Sequence, residues 1–365
     1  MKFSPKVMTF ASGNMDLFKG FLDYWNHSLS NDKKKHAEFD TTTSFSEKED
    51  RINKELIKTI VKRSGVNYAG ETNLDEWFWH PNVVHETFAV VGALIDMILP
   101  DSIIESIGAY SEIRTIGWGD SASFDIEPRD LFVVSKAGRS MREGEVHKNF
   151  RGQVTIVAER RELTVGVSLY NVLSGKESLA NLAAKAVRSM ETAMALDAYN
   201  AFYVATANLD STATTGLLIS AGYSQASLLR LCEQVGAWSQ GNKPIIMGTS
   251  QALLNVLPDD ANYRYTLSDP YTTIGYIPTI SGYDIMRLPQ VADLATPFGL
   301  ALANDRLWIL APSAGKPVKV VIEGSTLSNT TGIWDKADLS QTTTLMKDWG
   351  VGIATSGVAG LITGL

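Results

Sequence analysis

Residues 176–202 read KESLANLAAKAVRSMETAMALDAYNAF. Leu179, Leu182, Ala186, Val187, Met190, Met194 and Ala198 recur along one face, and neither Gly nor Pro interrupts them. This periodicity predicts a single amphipathic helix of about 40 Å at 1.5 Å per residue, about twice the average length. A helix that long is a structural beam, so what flanks it decides the fold.

Upstream lie runs with strand composition at 113–118, 123–126, 131–135, 153–159 and 162–169, with Gly138, Gly144 and Gly152 breaking the middle. Residues 111–175 carry nine basic and nine acidic side chains, a dense mixture of signs for a hairpin. A long two-stranded ribbon is only marginally stable alone and exposes its edges, so it needs a surface to lie on.

Residues 1–80 are more polar still, with 12 basic and 12 acidic residues and little apolar surface for independent folding. Within them Ile52, Leu56, Ile57, Ile60 and Val61 fall at helical spacing behind a capping-box pattern at Ser46 and Glu49. Trp77, Phe78 and Trp79 cluster just before Pro81. The reading is an extended arm with one short helix and an aromatic anchor, buried either in the chain's own core or against a neighbouring subunit. The apolar stretch 83–107, with Pro100 inside it, predicts a helix, a turn and a short second helix opening at Asp101 or Ser102.

After residue 215 the texture becomes compact α/β. Helices are expected over 224–238 and 249–256, and strands over 244–248, 283–288 and 300–310. The loop 258–278 holds Tyr263, Tyr265, Tyr271 and Tyr276, and loops of this length usually serve binding or assembly. A strand over 318–323, a polar connection and an alternating segment over 342–358 follow.

Composition and motifs exclude several classes. A net charge of −7, from 33 basic and 40 acidic residues, lacks the cationic field of a nucleic-acid reader. The single cysteine, Cys232, cannot form an intramolecular disulfide and reads as a small buried hydrophobe in a reducing compartment. Neither a signal peptide nor a membrane span is expected.

Gly119-Asp120-Ser121-Ala122-Ser123 approximates a nucleophile elbow, but its last position is Ser where the sharp turn needs Gly. The five histidines include no pair at metal-binding helical spacing. Gly117-Trp118-Gly119 and Gly350-Val351-Gly352 lack the third glycine of a dinucleotide fingerprint. The pairs Glu127/Asp130 and Asp259/Asp260 sit in Pro-containing turns that favour acidic residues locally. No catalytic residue, metal or cofactor is therefore expected.

The order of polar arm, charged strand-rich hairpin, long helix, α/β domain with a Tyr-rich loop and C-terminal strands resembles the major capsid protein of tailed double-stranded DNA bacteriophages, with its Hong Kong 97 type α+β fold. The resemblance implies an N-arm at 1–80, an extended E-loop at 111–173 and a spine helix at 176–202. It further implies an axial A-domain at 215–310 and a peripheral P-domain made of 81–110, 174–214 and 311–365.

It also implies a homo-oligomeric shell of hexamers and pentamers around packaged DNA, without sequence-specific DNA contacts and without a membrane. The shell would form in the host cytoplasm and could recruit scaffold, portal and decoration proteins. The E-loop would lie across an adjacent subunit, where Arg129, Lys136, Arg139, Arg142, Glu143, Glu145, Lys148 and Arg151 find charges of opposite sign. Trp77, Phe78 and Trp79 in the arm and Tyr263, Tyr265 and Tyr271 in the A-domain complete the set of candidate contacts. An encapsulin-type compartment shell and a soluble α/β enzyme or binding protein stay open as alternatives.

Overall fold

The computed structural model describes residues 13–29, 39–66, 77, 80–108, 110–126, 151–168, 171–172, 174–207, 209–211, 216–220, 222–257, 275–293, 296–312, 315–330, 341–354 and 358–365. The fold is α+β, with two sheets flanking a bundle of long helices. The helices are α1 (Met15–Ser28), α2 (Phe45–Ser64), α3 (Pro81–Ile107), α4 (Leu179–Ala207), α5 (Gln225–Trp238) and α6 (Ser250–Leu253).

The first six strands are β1 (Ser111–Ile116), β2 (Ala122–Ile126), β3 (Gly152–Ile156), β4 (Glu159–Val167), β5 (Leu218–Ile219) and β6 (Ile245–Gly248). They are followed by β7 (Thr279–Ile280), β8 (Tyr283–Arg287), β9 (Arg306–Leu310), β10 (Val318–Thr330), β11 (Gln341–Ile353) and β12 (Ala359–Thr363).

The expected beam is α4. It has 29 residues, about 44 Å at 1.5 Å per residue, and begins and ends a few residues later than its periodicity suggests. Its start is set by polar chemistry. Ser178 Oγ accepts the Asn181 N–H at 3.1 Å, and Asn53 Oδ1, reaching from α2, accepts the Ala180 N–H at 3.0 Å. Asn53 Nδ2 also donates to Ser178 Oγ at 3.0 Å, so one side chain from another helix completes the cap. Two orphan amides of the first turn are satisfied in this way. Asn53→Ala is expected to lower stability by about 1 kcal/mol in a denaturant titration, and an unchanged midpoint would refute the clamp.

The described residues 15–29 and 39–64 hold two helices where one short helix is expected. Leu17, Phe21, Tyr24 and Trp25 of α1, with Ile52, Leu56 and Ile60 of α2, are buried in the same core as α3 and α4. The expectation of an arm with little apolar surface misses this helical spacing in α1, where polar neighbours mask it. The capping box is real but lies two residues earlier than expected. Ser44 Oγ accepts the Glu47 N–H and Glu47 Oε2 accepts the Ser44 N–H, while Phe45, the first helical residue, stacks on Tyr24 at 4.8 Å.

Helix α3 is continuous, with Pro100 inside it, in place of the expected helix, turn and second helix. Proline costs a helix interior about 3 kcal/mol. Leu94, Ile95, Ile98, Leu99 and Ile103 are all buried, and each contributes about 1.5–3 kcal/mol on burial, so packing in the core outweighs the lost hydrogen bond. Residues 81–104 are long and apolar enough to cross a membrane, with a mean hydropathy of 1.8 over the best window, but 78% of that window is buried inside the fold.

Four strands, in the order β1-β10-β11-β4, form the sheet on which α3 and α4 pack. Strand β1 runs parallel to β10, and β4 pairs antiparallel with β11. Both fall in the stretch expected to be hairpin, but among the described residues only β2 and β3 form a two-stranded ribbon. The second sheet has the order β5-β12-β9-β6-β8-β7 and is covered by α5, with Leu228, Leu231, Cys232 and Val235 buried against Ile246, Leu307, Ile309 and Ile362. Burial pushes the Cys232 thiol up to about 12, so it behaves as a hydrophobe. Strand β12 lies inside this second sheet, although its place in the sequence groups it with the peripheral strands.

Candidate assembly surfaces

The two lobes meet at Trp308. This side chain is fully buried on β9, its ring lies edge-on to Tyr199 at 5.5 Å and near Phe202 at 5.9 Å, and its Nε1 donates to Thr206 Oγ1 at 3.3 Å. All three partners belong to α4. That helix thus carries the four-stranded sheet along its length and grips the six-stranded sheet near its C-terminal end.

A buried ion pair fixes the opposite face. Asp96, in the apolar middle of α3, accepts from Lys347 Nζ at 2.6 Å, and both side chains are under 10% exposed. It also accepts the Thr326 N–H at 2.8 Å and the Thr326 hydroxyl at 2.6 Å, while Lys347 Nζ donates to the Gly324 carbonyl at 2.8 Å. Residues 324–326 form the irregularity between Glu323 and Leu327 in the β10–β11 register. The bulge turns backbone donors and acceptors toward α3, and the ion pair satisfies them. Gly324 has φ +56°, and a Cβ there would stand 2.5 Å from the Trp118 ring. This is the physical role of the Gly117-Trp118-Gly119 turn: Trp118 lies over the bulge, and the Gly119 N–H donates to Glu323 Oε1 at 2.7 Å.

The β2–β3 ribbon leaves the body at a fixed root. Phe124 is buried beneath the Arg114 guanidinium, 4.2 Å from the ring centroid, and forms a small cluster with Ile156 and Val321. A Cβ on Gly352 would meet Ile156 at 2.8 Å, and one on Gly350 would meet the Val157 carbonyl at 2.3 Å. The Gly350-Val351-Gly352 pattern therefore allows close approach of the ribbon to β11.

The charges around this root are largely satisfied within the chain. Arg160 forms a two-pronged pair with Asp348 at 3.0 and 3.1 Å, and Arg161 reaches Asp197 on α4 at 3.3 Å. Lys319 and Arg114 both bind Glu112, at 2.6 and 2.7 Å. Burial pushes the Glu112 carboxyl up, but the bonds from Lys319 and Arg114 outweigh it and hold it below the usual carboxylate range.

Of the predicted contact residues, Trp77 is 2% exposed and packs with Val61 and Val84 of its own chain, the first of the two placements the sequence leaves open. Arg151 is exposed, immediately before β3. Phe78, Trp79, Arg129, Lys136, Arg139, Arg142, Glu143, Glu145, Lys148, Tyr263, Tyr265 and Tyr271 lie outside the described residues. Among the described residues no group of three His, Cys, Asp or Glu side chains could hold a metal ion.

A family model described as "SPbeta prophage-derived putative capsid protein YonB" matches residues 27–363. No curated protein matches the chain. Solved structures that resemble it include the capsid of a native GTA particle, 12% identical with a TM-score of 0.46 over 72% of this chain and 90% of that one. The mature capsid of bacteriophage PhiM1 is 15% identical, with a TM-score of 0.42 over 70% and 85% of the two chains. The structure from Mycobacterium phage Adephagia is 13% identical, with a TM-score of 0.41 over 72% and 89%.

Proposed function

This chain belongs to the YonB family of prophage-derived capsid proteins, and from that premise we propose that it is the shell-forming subunit of a phage capsid. The match over residues 27–363 carries the reading. The α+β architecture is of the Hong Kong 97 type: α4 is the spine, the four-stranded sheet with α1–α3 is the peripheral domain, and the six-stranded sheet with α5 is the axial domain. The protein is structural, a component of the virion that assembles into an oligomeric shell.

Hexamers and pentamers built in the host cytoplasm around double-stranded DNA are the finer form of this proposal. A net charge of −7 supports it, because a wall of that sign repels packaged DNA. Within the shell, the charged segment from Arg129 to Arg151 and Tyr263, Tyr265 and Tyr271 are proposed to contact adjacent subunits. Isolated surface ion pairs are worth about 0–1 kcal/mol each, so many of them can hold a shell while each contact stays reversible during assembly.

Expression of the full chain followed by sedimentation and electron microscopy tests the proposal. Closed particles are expected. A monomer or dimer at every concentration and salt tested would reject it.

A further inference from the structure

Between β8 and β9 the described residues 296–300 form a tip that presents Phe298. This side chain is 105% exposed, so its ring makes no burying contact within the described fold. Its φ is +59°, a left-handed conformation that a bulky L-residue adopts only when its surroundings impose it. Leu300 beside it is 61% exposed.

The base of the tip is held firmly. Gln290 Nε2 donates to the Leu302 carbonyl at 3.0 Å and to Asn304 Oδ1 at 3.1 Å, and Gln290 Oε1 accepts the Leu302 N–H at 2.9 Å. Asn304 in turn accepts from Thr249, the residue that caps α6, at 2.9 Å. Higher up, the Asp293 N–H donates to the Gly299 carbonyl at 3.0 Å, and Ala292 bridges Leu300. A strained backbone on a rigid base, holding an aromatic ring in water, is an arrangement pre-organised for a partner.

Strand directions show where that partner approaches. Strand β6 runs parallel to β8 and antiparallel to β9, so α6, the Phe298 tip and the start of β9 occupy one end of the six-stranded sheet. Leu254, just after α6, is a further exposed apolar residue at that end.

We infer that the Phe298 tip is an anchor that inserts into a second copy of this chain, an inference that rests on the shell-forming reading. Charge favours this occupant. Residues 290–303 contain one charged side chain, Asp293, and no cation, so the tip has nothing with which to hold a phosphate backbone. Two copies of a chain with net charge −7 repel each other at long range, and an uncharged apolar tip is where they can meet at least electrostatic cost. An anchor of this kind seats against a different patch on the next copy, a head-to-tail contact of the sort that forms a ring when its rotation closes.

Incorporation of a photoreactive residue, Phe298→p-benzoylphenylalanine, into assembled particles provides the test. Irradiation is expected to give a denatured band at twice the chain mass, with the cross-linked peptide mapping to a distant segment of the same sequence. Capture of a different protein or of lipid, or no cross-link at all, would overturn the inference. In parallel, Phe298→Asn should relieve the backbone strain and leave the melting temperature of the unassembled subunit unchanged or raised. It should nevertheless cut the assembled fraction by roughly tenfold or more, while Phe298→Trp retains assembly. An Asn variant that assembles normally, while the unaltered chain forms shells, refutes the anchor and leaves the shell reading standing. Failure of the unaltered chain to form shells refutes both.

Discussion

Replacing Asp96 by alanine is expected to destabilise the subunit by about 3–5 kcal/mol, because it strands the buried Lys347 ammonium and removes the acceptor of the Thr326 amide and hydroxyl together. That is a large fraction of the roughly 5–15 kcal/mol that holds a typical domain folded. The reciprocal change Lys347→Met should cost less, since Asp96 would keep both bonds from Thr326. Asp96→Asn should fall between wild type and alanine, because its amide oxygen still accepts from Thr326 while Lys347 loses its counter-charge. Combining Asp96→Leu with Lys347→Met removes the unpaired charge but leaves the Thr326 N–H unbonded, at about 1–3 kcal/mol. Denaturant titration of the four variants checks this ranking. Equal loss in all of them would mean that the bulge, and not the ion pair, carries the stability.

Deleting residues 1–66 is expected to abolish folding of the subunit, not merely its assembly. The deletion removes seven buried side chains from the main core, Leu17, Phe21, Tyr24, Trp25, Ile52, Leu56 and Ile60. At about 1.5–3 kcal/mol for each, the lost burial is roughly 10 kcal/mol or more, comparable with the whole stability of a domain. It also strips α4 of the Asn53 clamp and exposes the faces of α3 and α4 that α2 covers. Circular dichroism and solubility of the truncated chain decide the matter. A soluble, cooperatively folding monomer that fails only to assemble would return these helices to the role of an external arm.

The contrast between arm and spine shows what the sequence can reveal. Helix α4 is legible because its apolar face continues for many residues with no Gly or Pro, and only a helix sustains that period over such a length. Helix α1 uses the same spacing over only 14 residues, and the surrounding charges of a polar segment conceal it. Pro100 suggests a break in α3 because proline acts locally, whereas burial on all sides overrides it. The pairing of β1 with β10, two segments about 200 residues apart, has no local signal at all.

Polar details follow the same division. Ser44 and Glu47 form a local motif of the expected kind, two positions from where it was expected. Asn53 capping a helix from another part of the chain, and Asp96 meeting Lys347 across 251 positions, depend on tertiary proximity. One hint is present: a lone Asp within the apolar run Leu94-Ile95-Asp96-Met97-Ile98-Leu99 is costly unless something pairs with it. The Phe298 tip leaves no such mark, since a Phe in a Pro-Phe-Gly turn reads like any surface loop.

The position of β12 bears on how the subunit is made. Strand β12 lies between β5 and β9, hydrogen-bonded to both, and β1 waits in the same way for β10 more than 200 residues downstream. A ribosome therefore releases residues 1–317 before either sheet can close, and the nascent chain carries open strand edges until translation has passed residue 363. Prematurely terminated products keep those edges and cannot complete the six-stranded sheet.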